Sequence, residues 1–232
     1  MKRVIKGKEP PALTAWKAEN HDSPQNLVYG NLPGKVLDNI KEQMLKEQGY
    51  LCGYTMRRLN AVTECHLEHI EPQNASTRDL DYANMLACFP SDGGDTKPGY
   101  GAPIKGGVAV NSDNFVSPIH PQVEQHFHYT WKGEIYAKNP QDVAAAKTIK
   151  LLKLDNPKLA DLRKAAIEAA GITRASDMPL SAAKARRLAQ ECLQKDANSH
   201  LPAYCLAISQ VAEEYALREE KRATRLRGKA RN

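Results

Sequence analysis

The chain has 232 residues, enough to bury a substantial core as one elaborated domain or as a core with an appendage. Its 33 Lys and Arg against 27 Asp and Glu give a formal charge of +6, a mild pointer to a polyanionic partner. No stretch approaches the roughly 18 consecutive apolar residues of a membrane span. The basic start Met1-Lys2-Arg3-Val4-Ile5-Lys6 lacks the apolar segment of a signal peptide. Five irregularly spaced cysteines argue against a disulfide framework and for a reducing compartment, so a cytoplasmic protein with no membrane partner is expected.

An extended, Pro-containing arm opens the chain and includes Glu9-Pro10-Pro11 and Trp16. A helix is predicted from about Lys35 to Gln48, with Val36, Ile40 and Met44 on one face and Gly49 to end it. Leu51 to Leu59 and Glu64 to Ile70 read as two short strands joined by a turn near Asn60. Asp81 to Ala87 reads as a short helix, which completes the strand, strand, helix order of a ββα-metal unit.

The texture changes near residue 140, beyond which the chain is rich in Ala, Leu, Lys and Arg and helical in period. Val143, Ala146, Ile149 and Leu152 mark one helix face. After Asn156-Pro157, a second helix carries Leu159, Leu162, Ala166 and Ile167 and is closed by Gly171. A third follows Ser181, whose hydroxyl accepts from the first turn, and a fourth begins near Pro202 with Tyr204, Ile208, Val211 and Tyr215 on one stripe. From Lys221 to Asn232 there are six basic residues, Lys221, Arg222 and Arg225 among them, and no acidic one. That tail is either a solvated helix end or a contact for phosphate.

The text that carries chemistry is Cys65-His66-Leu67-Glu68-His69-Ile70-Glu71-Pro72, followed by Asn84-Met85-Leu86-Ala87-Cys88. Hydrolysis of a phosphodiester requires that water be activated and that charge on the phosphate and leaving oxygen be stabilised. A neutral imidazole does the first near neutral pH, and a divalent cation held by hard carboxylate ligands does the second. Glu68 and His69 supply one of each, although strand alternation sends adjacent side chains to opposite faces unless the strand ends or bulges there.

Glu68-His69-Ile70-Glu71-Pro72 resembles the acidic-residue, His, aliphatic, x, Pro signature of the HNH nuclease superfamily, and Asn84 matches its middle Asn. The resemblance implies that His69 is the general base, that Glu68 binds one Mg²⁺ or Mn²⁺, and that Asn84 braces the loop. Met1-Lys2-Arg3 with Lys6-Gly7-Lys8-Glu9-Pro10-Pro11, Gln48 to Tyr54, His66-Leu67-Glu68-His69 and Phe115-Val116-Ser117-Pro118 with Gly133-Glu134-Ile135 are similar to PtuB proteins. These are HNH effectors of bacterial anti-phage systems of the Septu and retron type. The resemblance covers residues 1–137 and implies an HNH domain with its arm there; with the helical region and basic tail read over 138–232, the expected fold is α+β, a ββα-metal core with a mainly helical C-terminal half. It implies a PtuA-type partner ATPase of the ABC/SMC-like class. For a retron it also implies a reverse transcriptase with its multicopy single-stranded DNA (msDNA). The substrate it implies is DNA or RNA, tRNA included.

Two features depart from the family. Where many HNH domains carry paired cysteines for a structural zinc, this chain has Cys52-Gly53-Tyr54-Thr55 and Cys88-Phe89-Pro90-Ser91, so no structural zinc is expected and Cys52, Cys65 and Cys88 read as buried apolar residues. No His or Asn lies between Cys88 and Gly107 to act as second metal ligand, which leaves Asp92 and Asp95 as candidates against a default of solvated loop carboxylates. His66 shares a strand face with Glu68 and is either a ligand or a packing residue, while His120, His126 and His128 read as surface or packing residues. Arg57, Arg58 and Lys105, with Gly106-Gly107 after it, are candidates for phosphate contact. These departures keep open the alternative of a degenerate HNH module that binds nucleic acid or a partner protein without cleavage.

Overall fold

Met85-Leu86-Ala87-Cys88 is buried at every position and forms a strand, β2 (Met85–Cys88), in the computed structural model, which describes residues 1–93, 97–172 and 180–229. The expected helix over Asp81 to Ala87 is therefore replaced by a 3₁₀ turn, Tyr82–Asn84, capped by the Asp81 carboxylate, and the strand after it. The physical reason is burial. A helix of this length at a surface turns part of its circumference to water, whereas a strand covered on both faces hides four apolar residues in succession.

The partner of β2 is β1 (His66–His69), antiparallel, with His66 opposite Cys88 and His69 opposite Met85. The strand expected over Leu51 to Leu59 does not form. Only an isolated Leu51–Arg58 bridge survives there, because Met56 sits at φ 62° and the chain folds back through Met56 N–H to Cys52 C=O and Cys52 N–H to Arg57 C=O. The free edge of β2 is closed by a side chain instead. Gln48 accepts from Ala87 N–H (2.8 Å) and donates to Ala87 C=O (2.8 Å), and Gly53 N–H reaches the same carbonyl.

The N-terminal arm runs extended against the core, Val4 N–H bonding to Pro118 C=O, and then forms an unforeseen helix α1 (Pro11–Glu19) that buries Leu13 and Trp16. Helix α2 (Gly34–Glu47) follows as expected, with Ile40, Met44 and Leu45 buried beside β2. A four-residue helix α3 (Ala102–Lys105) precedes a second hairpin, β3 (Phe127–Tyr129) with β4 (Ile135–Ala137).

Among the described residues that follow are four helices: α4 (Val143–Leu151), α5 (Pro157–Ala169), α6 (Ala182–Glu191) and α7 (Cys205–Lys229). Ser181 caps α6 through Lys184 N–H as predicted. The face of α4 differs from the expected stripe: Ala145, Thr148 and Ile149 point inward and Val143 outward. In α5, Arg163 replaces Leu162 as an inward residue, its guanidinium donating to Gly133 C=O and Leu154 C=O and lying over the Tyr129 ring. Helix α7 clasps the first half. Its Gln210 accepts from Tyr129 N–H and donates to Phe127 C=O, and upstream of it Leu201 N–H bonds to Gly49 C=O. One contiguous apolar cluster accordingly contains residues from Met1 to Ala212. The result is a mixed α/β fold with two small antiparallel sheets, and among the described residues no helix is long and apolar enough to cross a membrane.

Candidate functional site

Burial alternates along β1, so Leu67 and His69 face one side and His66 and Glu68 the other. His69 is the last residue of the strand and only 7% exposed. Its Nε2 lies 2.8 Å from the Asp79 backbone carbonyl and 3.7 Å from the Asp79 carboxylate, and the Tyr29 ring stands edge-on at 5.0 Å. A carbonyl only accepts, so Nε2 carries a proton in this contact, and the tautomer it selects has its lone pair on Nδ1. Asp79 is itself held: its carboxylate accepts from Tyr29 N–H at 2.6 Å and from the Gln73 side chain.

On the opposite face, Glu68 Oε1 lies 2.7 Å from the Lys105 ammonium and 3.2 Å from the Tyr54 hydroxyl, while Oε2 is 3.6 Å from His66 Nε2. Lys105 also donates to the backbone carbonyl of His69 at 2.9 Å. The other nitrogen of His66 lies 2.5 Å from Pro90 C=O. Burial alone pulls the His66 pKa down, but the Glu68 carboxylate and the Pro90 carbonyl outweigh it and hold the value above the ordinary imidazole range. Burial and the same carboxylate push Tyr54 up strongly.

Asn84 sits beneath the turn that follows His69. Its side chain accepts from Glu71 N–H and donates to Glu71 C=O and Arg78 C=O, and its own carbonyl accepts from Ile70 N–H. Beside it lies a cavity of about 440 Å³ with Ile70, Phe115, Val116 and Ile119 among its apolar walls and His126 at its rim.

Several expected contributors are engaged elsewhere. Arg58 is committed to the carbonyls of Gly49, Tyr50 and Leu201, and so is a clamp between two parts of the backbone rather than a free phosphate ligand. Arg57 stacks over Phe89 with its guanidinium 3.4 Å from the Tyr100 hydroxyl. Lys105, expected at a phosphate, is 1% exposed and turned inward to Glu68. Asp92 is exposed and paired with Lys41 at 2.9 Å, and Asp95 lies outside the described residues. Lys221, Arg222 and Arg225 are exposed on α7. His126 is bonded to Asp142 (2.6 Å) and His128 lies 3.5 Å from Glu214, with His120 against the His126 ring.

The Mg²⁺ or Mn²⁺ implied by the family resemblance does not fit these side chains. The carboxylate of Glu68 is already neutralised by Lys105, and no group of three or more His, Cys, Asp and Glu side chains able to hold a metal occurs among the described residues. Cys52 and Cys88, by contrast, are buried, and the Cys52 sulfur accepts from Phe89 N–H at 3.4 Å. Sequence reasoning missed Asp79, Tyr29 and Tyr54. Asp79 binds His69 mainly through its peptide carbonyl, which leaves no trace in residue type, although Arg78-Asp79-Leu80-Asp81 stands out as a charged run between the two motif halves. Compared with known proteins, the chain matches no family model and no curated sequence.

Proposed function

We propose that the chain is a nuclease of the HNH type that hydrolyses phosphodiester bonds in DNA or RNA. The observation that carries this reading is the Nε2–H of His69 fixed on the Asp79 carbonyl, which leaves Nδ1 as a proton acceptor at the end of β1. A water proton passes to Nδ1, the hydroxide attacks phosphorus, one P–O ester bond breaks, and the departing oxygen takes a proton from solvent. Asn84 holds the turn after His69, and the chain order of β1, β2 and the four-residue α3, strand, strand, helix, supports the reading. The apolar cavity beside Asn84 falls within the size range of ligand pockets and offers room for a nucleobase. The exposed basic end of α7 supplies a sequence-independent grip on the backbone.

In this reading the protein is the toxic effector of a Septu- or retron-type defence system. It is restrained by a PtuA-type ATPase and, in a retron, by reverse transcriptase and msDNA. The engagement of Glu68 by Lys105 favours one rival, a non-cutting HNH module that binds nucleic acid or a partner protein. Wild type and His69→Ala protein, alone and with a PtuA-type ATPase, are incubated with pools of DNA and RNA, and new ends are sequenced. Ends produced only by wild type support the nuclease and name its substrate. Full activity in His69→Ala, or no His69-dependent ends at all, sinks it.

A further inference from the structure

We infer that the fixed positive charge of this centre is the Lys105 ammonium, and that Glu68 is its counter-ion rather than a ligand for a divalent cation. The inference rests on the nuclease reading for its catalytic meaning, but the arrangement itself stands on geometry. Lys105 closes α3 and is 1% exposed. An ammonium has three N–H donors, and the three oxygens around this one are Glu68 Oε1 at 2.7 Å, His69 C=O at 2.9 Å and Gly106 C=O at 3.5 Å. The cation is thus bonded to the peptide of His69 and to the carboxylate next to it in sequence. A metal ion at Glu68 has to displace a buried ammonium, and among the described residues it finds His66 beside that carboxylate but no group of three His, Cys, Asp or Glu side chains to hold it.

Lys105 is therefore a positioning residue. It pulls the His69 carbonyl toward α3 and fixes the backbone from which the imidazole projects toward Asp79. Buried charges of this kind are stable as a pair and costly singly, so loss of either partner is felt at the other. Among the described residues no carboxylate or His cluster stands where the resemblance implies a second metal ligand, and Lys105 supplies the positive charge instead: the cation is covalently part of the protein.

Mn²⁺ binding, followed by electron paramagnetic resonance on the full chain, tests this without requiring cleavage. Wild type and Glu68→Gln are expected to give the same titration, with no Glu68-dependent site. Lys105→Met, which leaves the Glu68 carboxylate free beside His66, is expected to gain a Mn²⁺ site at least tenfold tighter than anything in wild type. One stoichiometric Mn²⁺ bound by wild type and lost in Glu68→Gln overturns the inference. If Lys105→Met does not fold, the wild-type and Glu68→Gln titrations still decide, and the double variant Glu68→Gln/Lys105→Met is expected to recover the stability that either single change loses. A double variant no better than the worse single one counts against the pair. Should cleavage fail entirely, the nuclease reading falls while the Mn²⁺ titration continues to report on Lys105.

Discussion

Asn84 is bonded to both backbone groups of Glu71: its Oδ1 accepts from Glu71 N–H at 2.8 Å and its Nδ2 donates to Glu71 C=O at 2.9 Å. The side-chain amide thereby imitates a strand neighbour for the residue two positions after His69. Asn84→Ala leaves these groups without partners around a fully buried site, and is expected to lower unfolding free energy by about 2–3 kcal/mol. Asn84→Asp keeps the size but aims a carboxylate oxygen at the carbonyls of Glu71 and Arg78. It is expected to be at least as damaging at pH 7 and to recover in part below about pH 4, where a protonated carboxyl donates again. Urea midpoints for both variants at the two pH values check this.

The same device recurs and explains what the sequence hides. Gln48 serves Ala87, Gln210 serves Phe127 and Tyr129, and Asn84 serves Glu71. Each is a carboxamide completing a short strand or turn from a distant element, and nothing in periodicity marks a Gln as a strand partner. Helix α2 and the starts of α5 and α6 were legible because their signals are local: a 3.6-residue apolar period, Asn156 before Pro157, and Ser181. The β1–β2 pairing was not, because Met85 to Cys88 is a short continuous apolar run, and such a run does not distinguish strand from helix. At the site, Glu68, His69 and Asn84 stand out in the sequence. The partners that give them meaning, Asp79 and Lys105, are reached through backbone carbonyls or across 37 residues of chain.

Lys6 lies 3.5 Å above the Tyr82 ring centroid, 3.2 Å from Glu47 and 3.1 Å from Met85 C=O. Burial pulls its pKa from 10.5 to about 8, with Glu47 offsetting part of the fall. Between those two values the unfolded chain holds a proton that the folded chain has released, so the unfolded state binds more protons and stability rises with pH. Lys6→Met removes this contribution. The gain in unfolding free energy between pH 7.5 and 10.5 is therefore expected to be larger in wild type than in the variant, by up to about 3 kcal/mol. Identical pH slopes in urea denaturation rule the coupling out.

Gly133 has φ 78°, and a Cβ placed on it comes 2.0 Å from Ala160 C=O and 2.8 Å from the Lys164 amide nitrogen. Both are backbone atoms of α5, which is pinned to the same spot by Arg163 donating to Gly133 C=O. Neither atom can swing aside as a side chain does. Gly133→Ala is expected to cost more than about 3 kcal/mol and to push α5 off the β3–β4 hairpin. A far-ultraviolet melting curve unchanged from wild type excludes this account of the contact.

Arg58 and the basic end of α7 are expected to separate stability from nucleic-acid affinity. The Arg58 guanidinium joins Gly49 and Tyr50 to Leu201; Arg58→Ala takes this donor from all three carbonyls, of which Gly49 and Tyr50 keep the Leu201 and Leu59 amides, and is expected to lower stability by about 1–3 kcal/mol. It releases no counterions when nucleic acid binds, so the dependence of affinity on salt stays as in wild type. Lys221, Arg222 and Arg225 are exposed, and Arg222 lies 3.8 Å from Glu219. Replacing all three by Gln is expected to leave the denaturation midpoint in place and to reduce the log–log salt slope of DNA binding by about 2–3. Fluorescence anisotropy over a salt series on both variants distinguishes the roles. A slope reduced by Arg58→Ala but not by the triple variant moves the phosphate contact to the surface shared by Arg57 and Arg58, because counterion release counts the cations that touch phosphate and is blind to those that only hold the fold.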